Sequence, residues 1–171
     1  LPYDKNNSVI MQHQGTLREG IMKLGTHGIA PNTDTATTPL LETTGAADDL
    51  GIFKKLRSRD LTIAQLRFDK LNIPAGSRVA VLSPEHCRDL LDEDQQFRAQ
   101  WHIIQSGRPV DMYGFRLYKY NANPFYAGAT QLAWAKQAFD TVNNGGAGAA
   151  GVRHRHATLF YYTPRLFKAS T

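Results

Sequence analysis

Arg78 to Leu91, RVAVLSPEHCRDLL, is the stretch whose reading decides the fold. Arg78-Val-Ala-Val-Leu82 is an apolar run without polar alternation, which reads as a buried strand. It runs directly into a helix. Ser83 is placed as N-cap, where its hydroxyl can accept from an amide of the first turn, and Pro84 suits the first helical position because its missing N–H would have no partner there. The pattern predicts a helix from Pro84 to about Asp92. Further on, DMYGFRLYKYNANP (Asp111–Pro124) completes the reading. From Pro109 to Tyr120 it reads as one long strand, with Val110 and Met112 on one face and Phe115 and Leu117 on the other. The switch falls at Gly114, as a β-bulge or a close backbone approach would produce, and Asn121-Ala-Asn-Pro124 stops the strand. Neither segment carries a nucleophile, a metal-ligand cluster or a phosphate loop, so both are read as building parts.

Working outward, a helix is predicted from about Arg59 to Asn72, with Ser58 as N-cap, Asp60 in the first turn, and Leu61, Ala64, Phe68 and Leu71 buried. Asn72-Ile-Pro-Ala-Gly76 then turns the chain into the central strand. Another helix is predicted from about Asn7 to Leu24. Its stripe is Ile10, Leu17, Ile21 and Leu24, and Gly25 is its stop, as for a helix lying across the outside of a sheet. Ile29 to Gly45, rich in threonine and proline, reads as an extended arm that either pairs with a neighbour or carries function. Phe97–Ser106 is amphipathic and stays unassigned. A helix is predicted from about Thr130 to Val142, with Leu132, Ala135, Ala138 or Phe139, and Val142 inward. After it come a flexible loop, Asn143–Gly151, a strand, Ala157–Thr163, and a short tail. There is no internal repeat.

Composition narrows the classes. The chain has 171 residues, 42% hydrophobic and 20% charged, which is ordinary for one soluble domain or two small lobes sharing elements. No apolar run approaches the ~20 residues that span a bilayer, so no membrane insertion is expected. The start, LPYDKNNSV, has no apolar core and no initiator methionine, which predicts a chain without a signal peptide and trimmed at its N-terminus. The net charge of +5 is uneven. Residues 1–50 hold three basic and six acidic residues, and 51–171 hold seventeen basic and nine acidic ones. That excess could face nucleic acid but is too dilute to demand it. Cys87 has no cysteine partner and reads as a small buried apolar residue.

Candidate chemistry is sparse. NNGGAGAAG lacks the Gly-Lys-Ser/Thr ending of a phosphate loop. His154-Arg155-His156 could place two imidazoles on one face of a strand, but no third ligand is evident nearby, so a polar surface is the expectation. There is no G-x-S-x-G elbow. Asp89, Asp92, Glu93 and Asp94 form an acidic cluster at a helix C-terminus, where carboxylates are unfavourable, so a basic partner from elsewhere is expected. Phe160-Tyr161-Tyr162, between Arg153/Arg155 and Arg165/Lys168, interleaves aromatics and cations as single-strand binders do; core filling by alternate aromatics is the favoured reading. No catalytic, cofactor-binding or metal-ligating residue is therefore assigned, and no cofactor is expected.

The ordered series of elements resembles the major capsid proteins of tailed phages, the Hong Kong phage type. The residues that carry this are Leu66-Arg-Phe-Asp-Lys-Leu-Asn-Ile-Pro74 and Gly76-Ser-Arg-Val-Ala-Val-Leu-Ser-Pro-Glu85 with Leu90-Leu91 following. Gly114-Phe-Arg-Leu-Tyr118 with Asn121 and Pro124, Leu159-Phe-Tyr-Tyr162 and Lys168-Ala169 complete the series. The match covers residues 55–125 well and the last fifteen loosely. The resemblance implies an α+β fold with a mixed sheet flanked by helices. Residues 46–155 would form an axial domain, 1–45 a peripheral helix and extended arm, and 156–171 a strand returning to the peripheral part. The resemblance also implies an N-terminal arm and a lapping hairpin loop before the long helix, and neither is expected within these residues. The implied function is structural and not enzymatic: identical subunits tile as pentamers and hexamers into an icosahedral shell, assembled in the bacterial cytoplasm, that encloses DNA by non-specific contact. Scaffolding or portal proteins would be further partners. Asn143–Gly151 and Asp89–Asp94 are candidate subunit contacts, and Arg153, Arg155 and Arg165 would pair with acidic neighbours or face DNA. The competing reading is a small α+β nucleic-acid-binding module or enzyme of a mobile element.

Overall fold

The computed structural model describes residues 5–36, 38–47, 53–128, 134–139 and 155–163. In chain order its elements are α1 (Lys5–Ile29), α2 (Ser58–Lys70), β1 (Arg78–Leu82), α3 (Pro84–Glu93) and α4 (Gln95–Gln105). Then follow β2 (Val110–Met112), β3 (Phe115–Lys119), β4 (Tyr126–Ala127), β5 (Ala135–Lys136) and β6 (Leu159–Tyr162). The fold is α+β. A four-stranded mixed sheet runs β2-β3-β1-β6, and β4 and β5 make a separate ribbon.

β1 is the centre of the sheet, and all five of its residues are buried. It pairs in parallel with β3, from Val79 opposite Arg116 to Leu82 opposite Lys119. On its other side it pairs antiparallel with β6, from Arg78 opposite Tyr162 to Val81 opposite Leu159. The late strand β6 therefore lies beside β1 in the same sheet. Side chains alternate across β1. Ala80 and Leu82 join the main core with Leu61 and Ala64 of α2, Cys87 and Leu90 of α3, Phe97 and Ile104 of α4, and Phe115 and Leu117 of β3. Val79 and Val81 face the other way, against Leu159 and Ala30. Arg78 is 3% exposed and its charge is met by Asp69 at 2.6 Å, while its guanidinium also donates to the Ile73 carbonyl. A buried cation paired in this way locks the turn that feeds β1.

Ser83 caps α3 as predicted, its Oγ accepting from the His86 amide at 3.3 Å, and Pro84 opens the helix. Phe97–Ser106 resolves as α4, whose N-cap is Asp94: Oδ1 accepts from the amides of Gln96 and Phe97 at 2.8 and 3.2 Å. One residue thus ends α3 and starts α4.

Several expectations are corrected. The long strand over 109–120 is a hairpin, β2 and β3, in register Val110 with Leu117 and Met112 with Phe115. Its two turn residues, Tyr113 and Gly114, have φ of 53° and 72°, the paired positive values of a twist-matched two-residue turn. Val110, Met112, Phe115 and Leu117 consequently all face the main core, where the single-strand reading had split them between faces. α2 is capped by Arg57, with Ser58 already helical; the Asp60 carboxylate accepts from the Arg57 amide at 2.9 Å. Leu71, expected in the buried stripe of α2, is 70% exposed because the helix ends at Lys70. The predicted helix over 130–142 is contradicted at Ala135–Lys136, which form β5 against Tyr126–Ala127; Leu132 and Val142 lie outside the described residues.

α1 does not stop at Gly25. It runs on to Ile29, just before the bend at Ala30-Pro31, where a residue preceding proline leaves the helical region. Lys136 Nζ donates to the carbonyls of His27 and Ala30, each at 2.7 Å, satisfying acceptors left without partners where α1 ends. Lys23 sits 4.8 Å over the Phe139 ring, and His27 Nε2 meets the Gln137 carbonyl at 2.9 Å. The predicted stripe, however, does not lie on the sheet: Leu17, Ile21 and Leu24 are 66%, 61% and 61% exposed. Beyond α1 the described residues 30–36 and 38–45 are irregular and extended, tied to the ribbon by a Thr33–Ala135 bridge. Asp60 takes the amide and hydroxyl of Thr44, and a Cβ on Gly45 would lie 2.3 Å from the Lys55 carbonyl oxygen, so only glycine fits there. No described helix is long and apolar enough to cross a membrane.

Gly114→Ala should lower stability by about 1–2 kcal/mol through its positive φ and its approach to Gln65, while Gly76→Ala, with open space around it, should stay within about 0.5 kcal/mol. Leu117→Ala should cost about 3 kcal/mol. Urea midpoints of the three variants check this; an unperturbed Gly114→Ala would contradict the hairpin.

Candidate functional site

A cleft of about 1170 Å³ is lined by the arm from Thr38 to Thr43, by α2, by the first turn of α3, and by the chain from Arg155 into β6. Ser83 and Pro84 fix the first turn of α3, which brings Glu85 and His86 to the cleft. The opposite partners come from the segment before β6. Glu85 Oε2 lies 3.0 Å from His156 Nδ1, and His86 Nδ1 lies 2.7 Å from Thr158 Oγ1. Phe125 stacks edge-on against the His156 ring at 5.3 Å. Asn123, 5% exposed, donates through Nδ2 to the carbonyls of Val81 and Ala157, each at 3.0 Å, and so fastens this segment to β1.

The electrostatics follow from enclosure. Burial pushes the His86 imidazole down to about 4, with the neighbouring His156 charge adding to the effect and Glu85 and Asp60 opposing it. For Glu85, burial alone would raise the carboxyl, but hydrogen bonds from His156 and a backbone amide, together with the charge of the two histidines, hold it below the usual range. A hydroxyl beside an imidazole suggests a nucleophile and its base. His86, however, is too weak a base near neutral pH to take a proton from Thr158, and Glu85, which could orient an imidazole, is paired with His156 instead. These contacts behave as two clamps holding the chain before β6 to α3.

The remaining singled-out residues fall in several places. His156 meets Glu85, while His154, Arg153, Arg165, Lys168 and the loop 143–151 lie outside the described residues. Among the described residues, no three His, Cys, Asp or Glu side chains gather to hold a metal ion. Cys87 is 1% exposed and burial pushes its thiol up to about 12, so it packs as an apolar residue. The acidic cluster is divided among structural tasks. Asp89 accepts from the Leu56 amide at 3.0 Å, Glu93 pairs with Arg57 at 3.1 Å, and Asp94 caps α4. Arg98 donates to the carbonyls of Leu91 and Asp92 at the end of α3, which with Arg57 supplies the basic partner expected there. Phe160 packs against Phe115 at 5.0 Å in the main core, and Tyr161 packs on the other face of the sheet.

Arg155 is half-buried and, among the described residues, has no carboxylate partner. Its guanidinium lies 4.7 Å over the Trp134 ring and 5.7 Å from that of Phe53. The sequence reading singled out neither aromatic, because the three residues are brought together from distant positions by the Tyr126–Arg155 bridge and the β4–β5 ribbon.

The unfolded chain takes up a proton on His86 at an ordinary 6.5, whereas the fold resists until about 4. Stability is therefore fully present above pH 6.5, falls across that window, and changes no further on this account below it, a loss of up to about 3 kcal/mol. Glu85, also depressed, loses stabilisation in the same direction. His86→Gln should flatten the slope of urea midpoint against pH between 6.5 and 4; an unchanged slope would remove His86 as its source.

Comparison with protein-family models, with characterised proteins and with solved structures finds no match to this chain.

Proposed function

We propose that this chain is a structural shell subunit, a major capsid protein of the tailed-phage type, and that it works by tiling against identical copies. The observation that carries the reading is α1. Over residues 11–22 every position is exposed. Along the helix Leu17, Ile21 and Leu24 form one exposed apolar row, and Met11, Met22 and Ile29 form a second about a third of a turn around the axis. A monomer has little use for such a face. Covering it would contribute on the order of 5 kcal/mol at each contact, and repeated contacts sum over a closed assembly. The ordered series from Leu66 to Pro124 supports the same reading, as do the clamps in the cleft, which fix chain position without supplying a reacting group. In this proposal the copies form pentamers and hexamers of a virion shell, DNA is enclosed by non-specific contact, and scaffolding or portal proteins are further partners.

Sedimentation velocity and negative-stain microscopy of the full chain should show rings, tubes or shells. A species that stays monomeric and binds DNA in a salt-sensitive manner would replace this reading with the nucleic-acid module. Leu17→Glu combined with Ile21→Glu should abolish assembly, yet leave the thermal midpoint of the dissociated chain nearly unchanged because both side chains are already exposed.

A further inference from the structure

We infer that the part of the cleft wall made by Phe53, Trp134 and Arg155 is a receptor for a carboxylate carried on an apolar body. The inference stands independently of the shell reading. Arg155 is held on two sides by aromatic rings, at 4.7 Å from Trp134 and 5.7 Å from Phe53, and its backbone is fixed by reciprocal hydrogen bonds with Tyr126 at 3.0 and 2.7 Å. Arg57, Arg78 and Arg116 each meet a carboxylate, at 3.1, 2.6 and 3.2 Å. Among the described residues Arg155 meets none, and its Nε–H, like Nη1 of Arg78, is closed off from solvent without an acceptor. Beside it Trp134 is 7% exposed, and its Nε1–H likewise has no acceptor. Buried donors are paired almost without exception, because leaving one unsatisfied is costly. Two such donors, one of them on a cation without an ion pair among the described residues, suit a negatively charged acceptor, and arginine and indole N–H groups match a planar carboxylate.

The surroundings restrict the ligand further. Asp60, Glu85 and Asp89 also line the cleft and would repel a dianion such as a phosphate monoester. Phe53, Leu56, Tyr126 and Ala157 on the same lining offer apolar surface for the body behind the carboxylate.

The test uses the full chain with Trp101→Phe, so that Trp134 supplies the indole fluorescence, together with equilibrium dialysis of radiolabelled benzoate. Benzoate should bind saturably at one per chain and shift the Trp134 emission. Benzamide, the neutral isostere, and phenyl phosphate should bind at least about tenfold more weakly. By dialysis, Arg155→Gln and Trp134→Phe should each weaken benzoate by about tenfold or more. A shift that is present without ligand, grows with protein concentration and is reversed by benzoate would identify the natural carboxylate as a second copy's. A shift that appears only on adding benzoate would identify it as a free small molecule. Absence of saturable binding, equal affinity for benzamide, or full benzoate affinity in Arg155→Gln would overturn the inference. If Arg155→Gln does not fold, the benzoate-to-benzamide ratio in the parent protein decides.

Discussion

The double-sided burial of β1 is the constraint on which the rest of the structure depends. A strand with five consecutive buried residues needs hydrogen-bonding neighbours on both edges and cover on both faces. The local chain supplies one edge and one face, since α3, α4 and the β2–β3 hairpin follow β1 directly and α2 precedes it. The other edge comes from β6, some eighty residues later, and part of the other face from Ala30 at the end of α1. Both ends of the described chain are thus drawn to the same strand, and the arm and the β4–β5 ribbon are the connections this closure requires.

Those connections are fastened by polar contacts that range from buried to exposed. Asn123 joins β1 to the segment before β6, Lys136 caps α1, the Tyr126 hydroxyl donates to the Pro31 carbonyl at 2.6 Å, and Asp60 gathers Thr44 to α2. Each contact sets a position as well as lowering the energy, because a buried polar group without its partner is costly. The consequence for α1 is specific. Its last two turns are anchored through Lys23, His27 and Ala30, while residues 11–22 are exposed.

How much was legible in the sequence follows the range of the interactions. β1 and the start of α3 could be read to the residue, since an unbroken apolar run and a Ser-Pro cap act locally. The hairpin could not: Gly114 signalled a break, but positive φ at Tyr113, a non-glycine residue, carries no composition signal, and reading one strand for two reversed half of its faces. β5 was misread because Leu132, Ala135 and Val142 repeat at helical spacing, whereas pairing with Tyr126–Ala127 and the Lys136 contacts to α1 prevail at Ala135–Lys136. In the cleft, His156 and Arg155 were visible as unusual residues. Their partners Glu85, Trp134 and Phe53 were not, because only tertiary folding brings them together.

The composition of α1 sharpens what its exposure means. Gly15, Gly20, Gly25 and Gly28 all lie within the helix, and a Cβ at any of them would meet nothing within 4 Å, so none is required by close packing. Each glycine costs an interior helical position about 1 kcal/mol relative to alanine, and isolated helices in water are marginal even with good helix formers. Residues 11–22 combine that weakness with exposed apolar side chains. A partner seated there would bury the apolar rows and at the same time favour the helical state that presents them, since whatever binds the ordered form stabilises it. Order in α1 and association through it would then be one equilibrium, which is how a subunit can stay dispersed at low concentration and become committed when many copies meet.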